Sequence, residues 1–595
     1  MWGRCTVKDQ PCFPGRRARY PVHSRRRRPG LIGPIAKSNG VLVLADDLGW
    51  TAVASFSTDL HETRADAGGG FGGNSPIKIL FPAFNLTRNR MQRYPLMMLT
   101  VLLLPPLAAL HADVSKLVSK PNIVFILADD LGYGDLGCYG ATKVKTPNID
   151  RLAHEGMRFT AAHSPASVCT PSRYNLMTGR YCWRTWAGHG TVWANDPLLI
   201  DEGRLTVASL LHHAGYFTGC VGKWHLGFGR PGTAGWDDLL GPDFNAELRP
   251  GPLDVGFDYF HGMPAVGQHP NIFIEGRRVV GLDPGDPIRF INDPRPEYQV
   301  EYSKRPRTSP TNLQMASGTS AEYRFEDAAF ELTQRAVAYI EQHRETPFFL
   351  YLAHRNIHSP LRPNARFKGT SEIGVYGDFI HELDWSVGEV LAALDRFQLA
   401  DNTLVFFSSD NGGVLPGNQA SDHPEIRGHR INGPLRGQKT EIYEGGHRVP
   451  LLVRWPGHVQ AASESHQLVA LTDLLATLAE LTNEKVRGDA GEDSFSFLST
   501  LLGTKSSQPV RQTLVTDSMM GLFAIQEGPW KLILGQGNGG HLRKDAPPAN
   551  DLPGQLYNLA DDPGEIRNLY SQKPDIVARL TTLLGKIRQD GRSKS

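Results

Sequence analysis

Cysteine is scarce in this chain, six among 595 residues, so crosslinks are not what holds the fold together. An excess of either charge is missing as well: 63 Lys and Arg stand against 61 Asp and Glu, a formal net charge of +2. That balance by itself says nothing about nucleic acid, and the positive excess is local. The dense arginine cluster at 16–28 has nothing downstream to support such a role. A comfortable membrane span is absent too, since the apolar run Leu96–Leu110 is short and broken by Pro105 and Pro106. What remains, 40% apolar and 21% charged residues, is ordinary globular composition, with length enough for one large and one smaller domain.

Residues 1–90 are rich in Arg, Gly, Pro and Ser without sustained periodicity, and read as an extension upstream of a later start at Met91. Met91 opens a signal peptide over 91–112: Arg93 supplies the charged start, Leu96–Leu110 the apolar core, and Ala112 a small residue for cleavage. The expectation is an exported protein, periplasmic, secreted or in a lysosome-like compartment, with no membrane span after cleavage. Val43–Trp50 nearly repeats Ile126–Tyr133, so Asp46-Asp47 doubles Asp129-Asp130. A single metal site cannot use both pairs, and only the second follows the signal peptide.

From Asn122 the pattern is α/β. Near-continuous apolar runs at Asn122–Ala128, Pro347–Ala353, Thr403–Ser408 and Val449–Val453 suit strands buried on both faces. Helical spacing lies between them at Thr146–Glu155, Leu205–Ala214, Ala321–Gln342 and Tyr376–Phe397, with a closing helix at Leu468–Leu481. This alternation predicts a large, mainly parallel mixed sheet flanked by helices over 113–507. Thr233–Thr319 reads as long surface loops. After it, Thr513–Asp517, Leu522–Gln526 and Trp530–Leu534 read as antiparallel strands and Asp575–Arg588 as a helix, giving a smaller subdomain over 508–595.

Chemistry concentrates in Cys169-Thr170-Pro171-Ser172-Arg173, continuing to Thr178-Gly179-Arg180. Pro171 suits the first position of a helix, which would set Cys169 at the positive end of the helix dipole. Arg173, one turn on, shares the face of Cys169. Beyond strand ends, where ligands gather in α/β sheets, come Asp129-Asp130, His358 and Asp410-Asn411. Adjacent carboxylates repel unless a cation joins them, and this all-oxygen set suits calcium or magnesium. Gly222-Lys223-Trp224-His225-Leu226-Gly227 places two polar residues on one side if extended, and Lys439 precedes Tyr443-Glu444-Gly445-Gly446. Arg427, His429 and Arg430 form a basic cluster suited to an acidic glycan or to solvent.

The cysteine motif, with the strand-end carboxylates and the lysine–histidine hexapeptide, resembles the type I sulfatases of the alkaline phosphatase superfamily, from about Pro121 to the C-terminus. The resemblance implies an arylsulfatase-like or N-acetylgalactosamine-6-sulfatase-like hydrolase of sulfate monoesters on small molecules or glycans. It implies that a maturation enzyme oxidises Cys169 to formylglycine, whose hydrate is the nucleophile. Asp129, Asp130, Asp410, Asn411 and the modified Cys169 would hold calcium, with magnesium the alternative ion. Lys223, Lys439 and Arg173 would stabilise developing charge. His358, aided by Lys439, would protonate the leaving alcohol, and His225 would take the proton that lets sulfate depart. Ala265 and Val266 after Gly262-Met263-Pro264 depart from many arylsulfatases, which place a serine there. The same nucleophile and ligands serve phosphonate monoester and phosphodiester hydrolases, the alternative reading; an inactive binder of sulfated glycans is the third.

Overall fold

The computed structural model describes residues 120–238, 240–292, 313–415, 427–504, 508–542 and 552–594. The extension, the signal peptide and the Asp46-Asp47 repeat lie outside the described residues. The main sheet has ten strands: Asn122–Ala128 (β1), Met157–Phe159 (β2), Phe217–Lys223 (β3), Tyr259–Met263 (β4), Ile274–Glu275 (β5), Arg278–Val279 (β6), Phe348–Ala353 (β7), Thr403–Ser409 (β8), Leu451–Arg454 (β9) and Ser463–Ser465 (β10). Their order is β10-β2-β9-β8-β1-β7-β3-β4-β5-β6. The middle five, β8 to β4, run parallel, while β9 is antiparallel to both its neighbours and β5 to β4.

Helices cover both faces: Pro147–His154 (α1), Cys169–Thr178 (α2), Val207–His213 (α3), Ala328–Gln342 (α4), Val375–Arg396 (α5) and Leu474–Thr482 (α6). Alternation along β1 decides which side chain meets which layer. Ile123, Phe125 and Leu127 pack with Leu176, Leu211, Leu475 and Leu478, from α2, α3 and α6. Val124, Ile126 and Ala128 pack with Leu152, Leu332, Ile340 and Leu383, from α1, α4 and α5. Both faces being covered, β1, β7 and β8 are buried throughout, which is why each reads as an unbroken apolar run. Each fully buried Leu or Ile here contributes roughly 1.5–3 kcal/mol.

A second sheet of four antiparallel strands, Thr513–Asp517 (β11), Phe523–Glu527 (β12), Trp530–Ile533 (β13) and Gln555–Asn558 (β14), is packed by Pro574–Asp590 (α7). Val515, Ile525, Leu532 and Leu556 meet Leu580, Leu584 and Ile587 there.

Some local expectations change. Strand β3 carries glycines in place of an apolar run, because its neighbours need the room. A Cβ on Gly219 would meet the Tyr339 ring at 2.4 Å, and one on Gly222 would meet the Ala353 carbonyl oxygen at 2.0 Å. The loops expected over 233–319 include β4, a full member of the sheet. Helix α4 starts at Ala328, not Ala321, since Tyr323 and Phe325 serve an aromatic cluster with Phe273. Helix α6 starts at Leu474, not Leu468. Asp473 turns the chain there, accepting from the Ala470 and Phe495 N–H groups while pairing with Arg511. Cys138, Cys169, Cys182 and Cys220 are all free thiols.

Candidate active site

Three parallel neighbours deliver the acidic residues. Ala128 is in register with Ser409 and Leu127 with Ala353, so the chain leaves β1, β7 and β8 on one edge of the sheet. Asp129-Asp130, His358 and Asp410-Asn411 emerge there together. Carboxylate oxygens of Asp129, Asp130 and Asp410 lie within 4.8 Å of one another. The Asp130 N–H donates to Asp410 Oδ1 at 3.2 Å, and Asn411 Nδ2 donates to Asp130 Oδ1 at 2.9 Å. Asp130 itself adopts φ 64°, a left-handed conformation that non-glycine residues accept only under strong local constraint.

Cys169 is the first residue of α2, so Pro171 stands third in the helix, not first. The geometry tolerates this because the first i→i−4 hydrogen bond is Ser172 N–H to Val168 O, at 3.2 Å; the missing proline N–H would have had no partner. Cys169 Sγ, an Asp129 oxygen and a His358 ring nitrogen all fall within 4.8 Å of one another. Burial pushes the Cys169 thiol up, against the pull of Lys223 and Lys439.

Cations bracket the carboxylates. Arg173 is fully buried; its Nε and Nη2 donate to Asp410 Oδ2 at 3.0 and 2.8 Å, and its Nη1 to Lys223 O at 2.9 Å. Lys223 Nζ lies 2.7 Å from Asp129 Oδ2, and Lys439 Nζ lies 2.6 Å from Asp130 Oδ1. Burial raises the Asp129 and Asp130 carboxyls, yet the cations outweigh it: Lys223, His358 and Arg173 hold Asp129 well down, Lys439 and His358 hold Asp130 down. Asp410 goes the other way, pushed up to about 7 by burial and then by the charge of Asp129. One cluster thus concentrates three carboxylates whose mutual repulsion three buried cations offset.

His358 Nε2 lies 3.7 Å from Asp130 Oδ2, and its Nδ1 is 2.6 Å from the Ser359 carbonyl oxygen. Burial, then Lys439, draws its pKa down to about 4. The nearby His354 is buried, with Nδ1 accepting from the Asn356 N–H. His225 does not extend β3: its φ of 57° turns the chain after Lys223, so the two meet the site through that turn and not through strand alternation. Both His225 ring nitrogens are buried without a hydrogen-bond partner, and burial, then Lys223 and Arg173, lowers its pKa strongly.

The donor set fits a hard cation. Asp129 Oδ1 and Asn411 Oδ1 are buried with no hydrogen-bond donor to satisfy them, and with Asp130 and Asp410 they make a set of carboxylate and amide oxygens. The basic stretch resolves differently: His429 is buried with Nε2 2.7 Å from Asp135 Oδ1, while Arg427 bonds the Glu372 carbonyl oxygen. His429 therefore braces the Asp129–Asp135 turn and is not a glycan contact. Thr440, beside Lys439, was not legible in advance; it holds φ 78° with a buried hydroxyl lacking a partner. His541, from the smaller subdomain, lies near enough for burial and then the Lys439 cation to lower its pKa. Nothing in its local sequence marks it.

Among the described residues, no helix is long and apolar enough to cross a membrane. The Sulfatase family model matches residues 121–484. The N-acetylgalactosamine-6-O-sulfatase of Bacteroides thetaiotaomicron is 40% identical over 496 residues, covering 79% of this chain and 93% of that protein. Human arylsulfatase A is 35% identical over 489 residues, covering 78% and 87%. A solved structure described under metabolism of multiple glycosaminoglycans by Bacteroides thetaiotaomicron superposes with a TM-score of 0.70 at 39% identity, covering 79% of this chain and 100% of that one. With the matched span enclosing the strand-end carboxylates and the cysteine helix alike, the chain belongs to the sulfatase family of sulfuric ester hydrolases.

Proposed function

We propose that this chain is an exported carbohydrate sulfatase, with its catalytic domain over 113–507 and its smaller subdomain over 508–595. The observation that carries the reading is the shared focus of Cys169, Asp129, Asp130 and Asp410 with Lys223, Lys439 and Arg173 around it. Asp129, Asp130, Asp410, Asn411 and residue 169 would hold calcium, which would supply a fixed positive charge for an anionic ester. Formylglycine at 169 supplies a hydroxyl nucleophile on a carbon that can later release sulfate, which neither thiol nor serine can do.

The remaining work belongs to side chains of this protein. Lys223 and Lys439 aim ammonium groups at the place where sulfuryl charge grows, and Arg173 fixes Asp410. His358, with Nε2 3.7 Å from Asp130 Oδ2, would pass a proton to the leaving alkoxide. His225, whose buried ring nitrogens have no hydrogen-bond partner, would accept a proton in the second half of the reaction. The similarity to an N-acetylgalactosamine-6-O-sulfatase makes hexosamine 6-sulfates the first substrates to assay.

The test is expression with and without a cysteine-oxidising maturation enzyme, mass spectrometry of the Cys169 peptide, and rates on an aryl sulfate, N-acetylgalactosamine 6-sulfate and an aryl phosphonate. Turnover of the sulfates only by converted protein is expected. Faster phosphonate cleavage would move the chain to the alternative hydrolase; converted protein that binds sulfated glycan without turnover would make it a binding homologue.

A further inference from the structure

A second buried cluster lies apart from the carboxylates. His163, Glu444 and His447 bring potential ligand atoms within 4.8 Å of one another, as a metal site would. A cation already serves them. Lys531 Nζ, from β13 of the smaller sheet, lies 3.0 Å from Glu444 Oε1, 3.1 Å from His447 Nε2 and 2.8 Å from Glu565 Oε1. It also donates to the Ile442 carbonyl oxygen at 2.9 Å. Glu565 Oε2 accepts the Glu444 N–H at 2.7 Å, closing the network. A buried lysine held by two carboxylates and a carbonyl cannot leave without stranding charge.

The turn Glu444–His447 that this lysine clamps touches two parts of the candidate site. Its Gly446 carbonyl oxygen accepts the Gly412 N–H at 3.0 Å, one residue after Asn411. Its His447 carbonyl oxygen accepts the Ser164 N–H at 2.8 Å; Ser164 Oγ in turn donates to Ser172 Oγ at 2.6 Å, in the helix that Cys169 begins. The preceding Lys439 N–H donates to the Gly413 carbonyl oxygen at 3.1 Å. The glycines permit this closeness: a Cβ on Gly412 would sit 1.8 Å from the Gly445 carbonyl oxygen.

We propose that Lys531 is a positioning residue of the sulfatase site, through which the smaller subdomain sets the placement of Asn411 and Lys439. This rests on the functional reading above. It also makes the subdomain part of the catalytic apparatus. The mechanism is a rigid tether: ammonium to Glu444, Glu444 turn to Gly412, Gly412 to Asn411.

Lys531→Met keeps the side-chain length and removes the charge. At a temperature where circular dichroism shows it folded, its calcium affinity, by titration calorimetry, is expected to fall at least tenfold. kcat on an aryl sulfate should fall at least tenfold with KM changing less than threefold. If Lys531→Met does not fold, Glu444→Gln/Glu565→Gln/Lys531→Met removes the lysine charge and both carboxylates while keeping shape; it is expected to fold and to lose about fivefold in each quantity. Wild-type calcium affinity and kcat in either folded variant would overturn the proposal, leaving the cluster a stability element only. The calcium titration separates this from failure of the functional reading, which would appear as an inactive wild-type protein.

Discussion

Replacing Arg173 by methionine isolates the charge balance on which the candidate site depends. Methionine fills much of the buried channel, but three donor contacts vanish: two to Asp410 Oδ2, at 3.0 and 2.8 Å, and one to Lys223 O, at 2.9 Å. Asp410, already pushed up to about 7, loses its closest cation. Stranding one partner of a buried ion pair costs about 3–5 kcal/mol. For a large domain, at about 2 °C per kcal/mol, the unfolding midpoint should fall by roughly 6–10 °C. The assay is thermal unfolding of Arg173→Met, Asp410→Asn and the double variant, in chelator so that no divalent ion compensates. If the guanidinium acts through Asp410, the double variant is less destabilised than the sum of the singles, by about 2 kcal/mol. Additivity to within about 0.5 kcal/mol would refute the reasoning, because the two residues would then contribute independently.

Cys169→Ala should keep the wild-type fold by circular dichroism and lose all measurable turnover of an aryl sulfate; retained turnover would remove Cys169 from the chemistry. Gly412→Ala places a methyl group 1.8 Å from the Gly445 carbonyl oxygen and should cost about 3 kcal/mol or more in denaturant unfolding. Gly585→Ala, within α7 where nothing lies within 4 Å of the new atom, should instead stabilise by about 0.5–1 kcal/mol. Calcium added to chelated protein at a hundredfold excess over its dissociation constant should stabilise the fold by about 2.7 kcal/mol, read as a rise in the unfolding midpoint. Asp129→Asn should abolish that rise.

Much of the organisation was legible in the chain. Asn122–Ala128, Pro347–Ala353 and Thr403–Ser408 announced buried parallel strands because both faces of each are covered, and an apolar residue is then required at every position. That residues just past those strands meet at one edge was legible too, since neighbouring parallel strands end on the same side of the sheet. Strands β3 and β4 were not: their glycines answer to Tyr339, Ala353 and each other, contacts that local sequence does not record. The sequence by itself determined the donor types, the cysteine helix and the alternating architecture, because these depend on residues a few positions apart. Only the tertiary structure decided that Arg173 serves Asp410, that His429 braces a turn, and that Lys531 takes the cation's place among His163, Glu444 and His447. Those pairings join residues from tens to hundreds of positions apart, and which charge neutralises which is set by the packed interior, where an unmatched ion is too costly to keep.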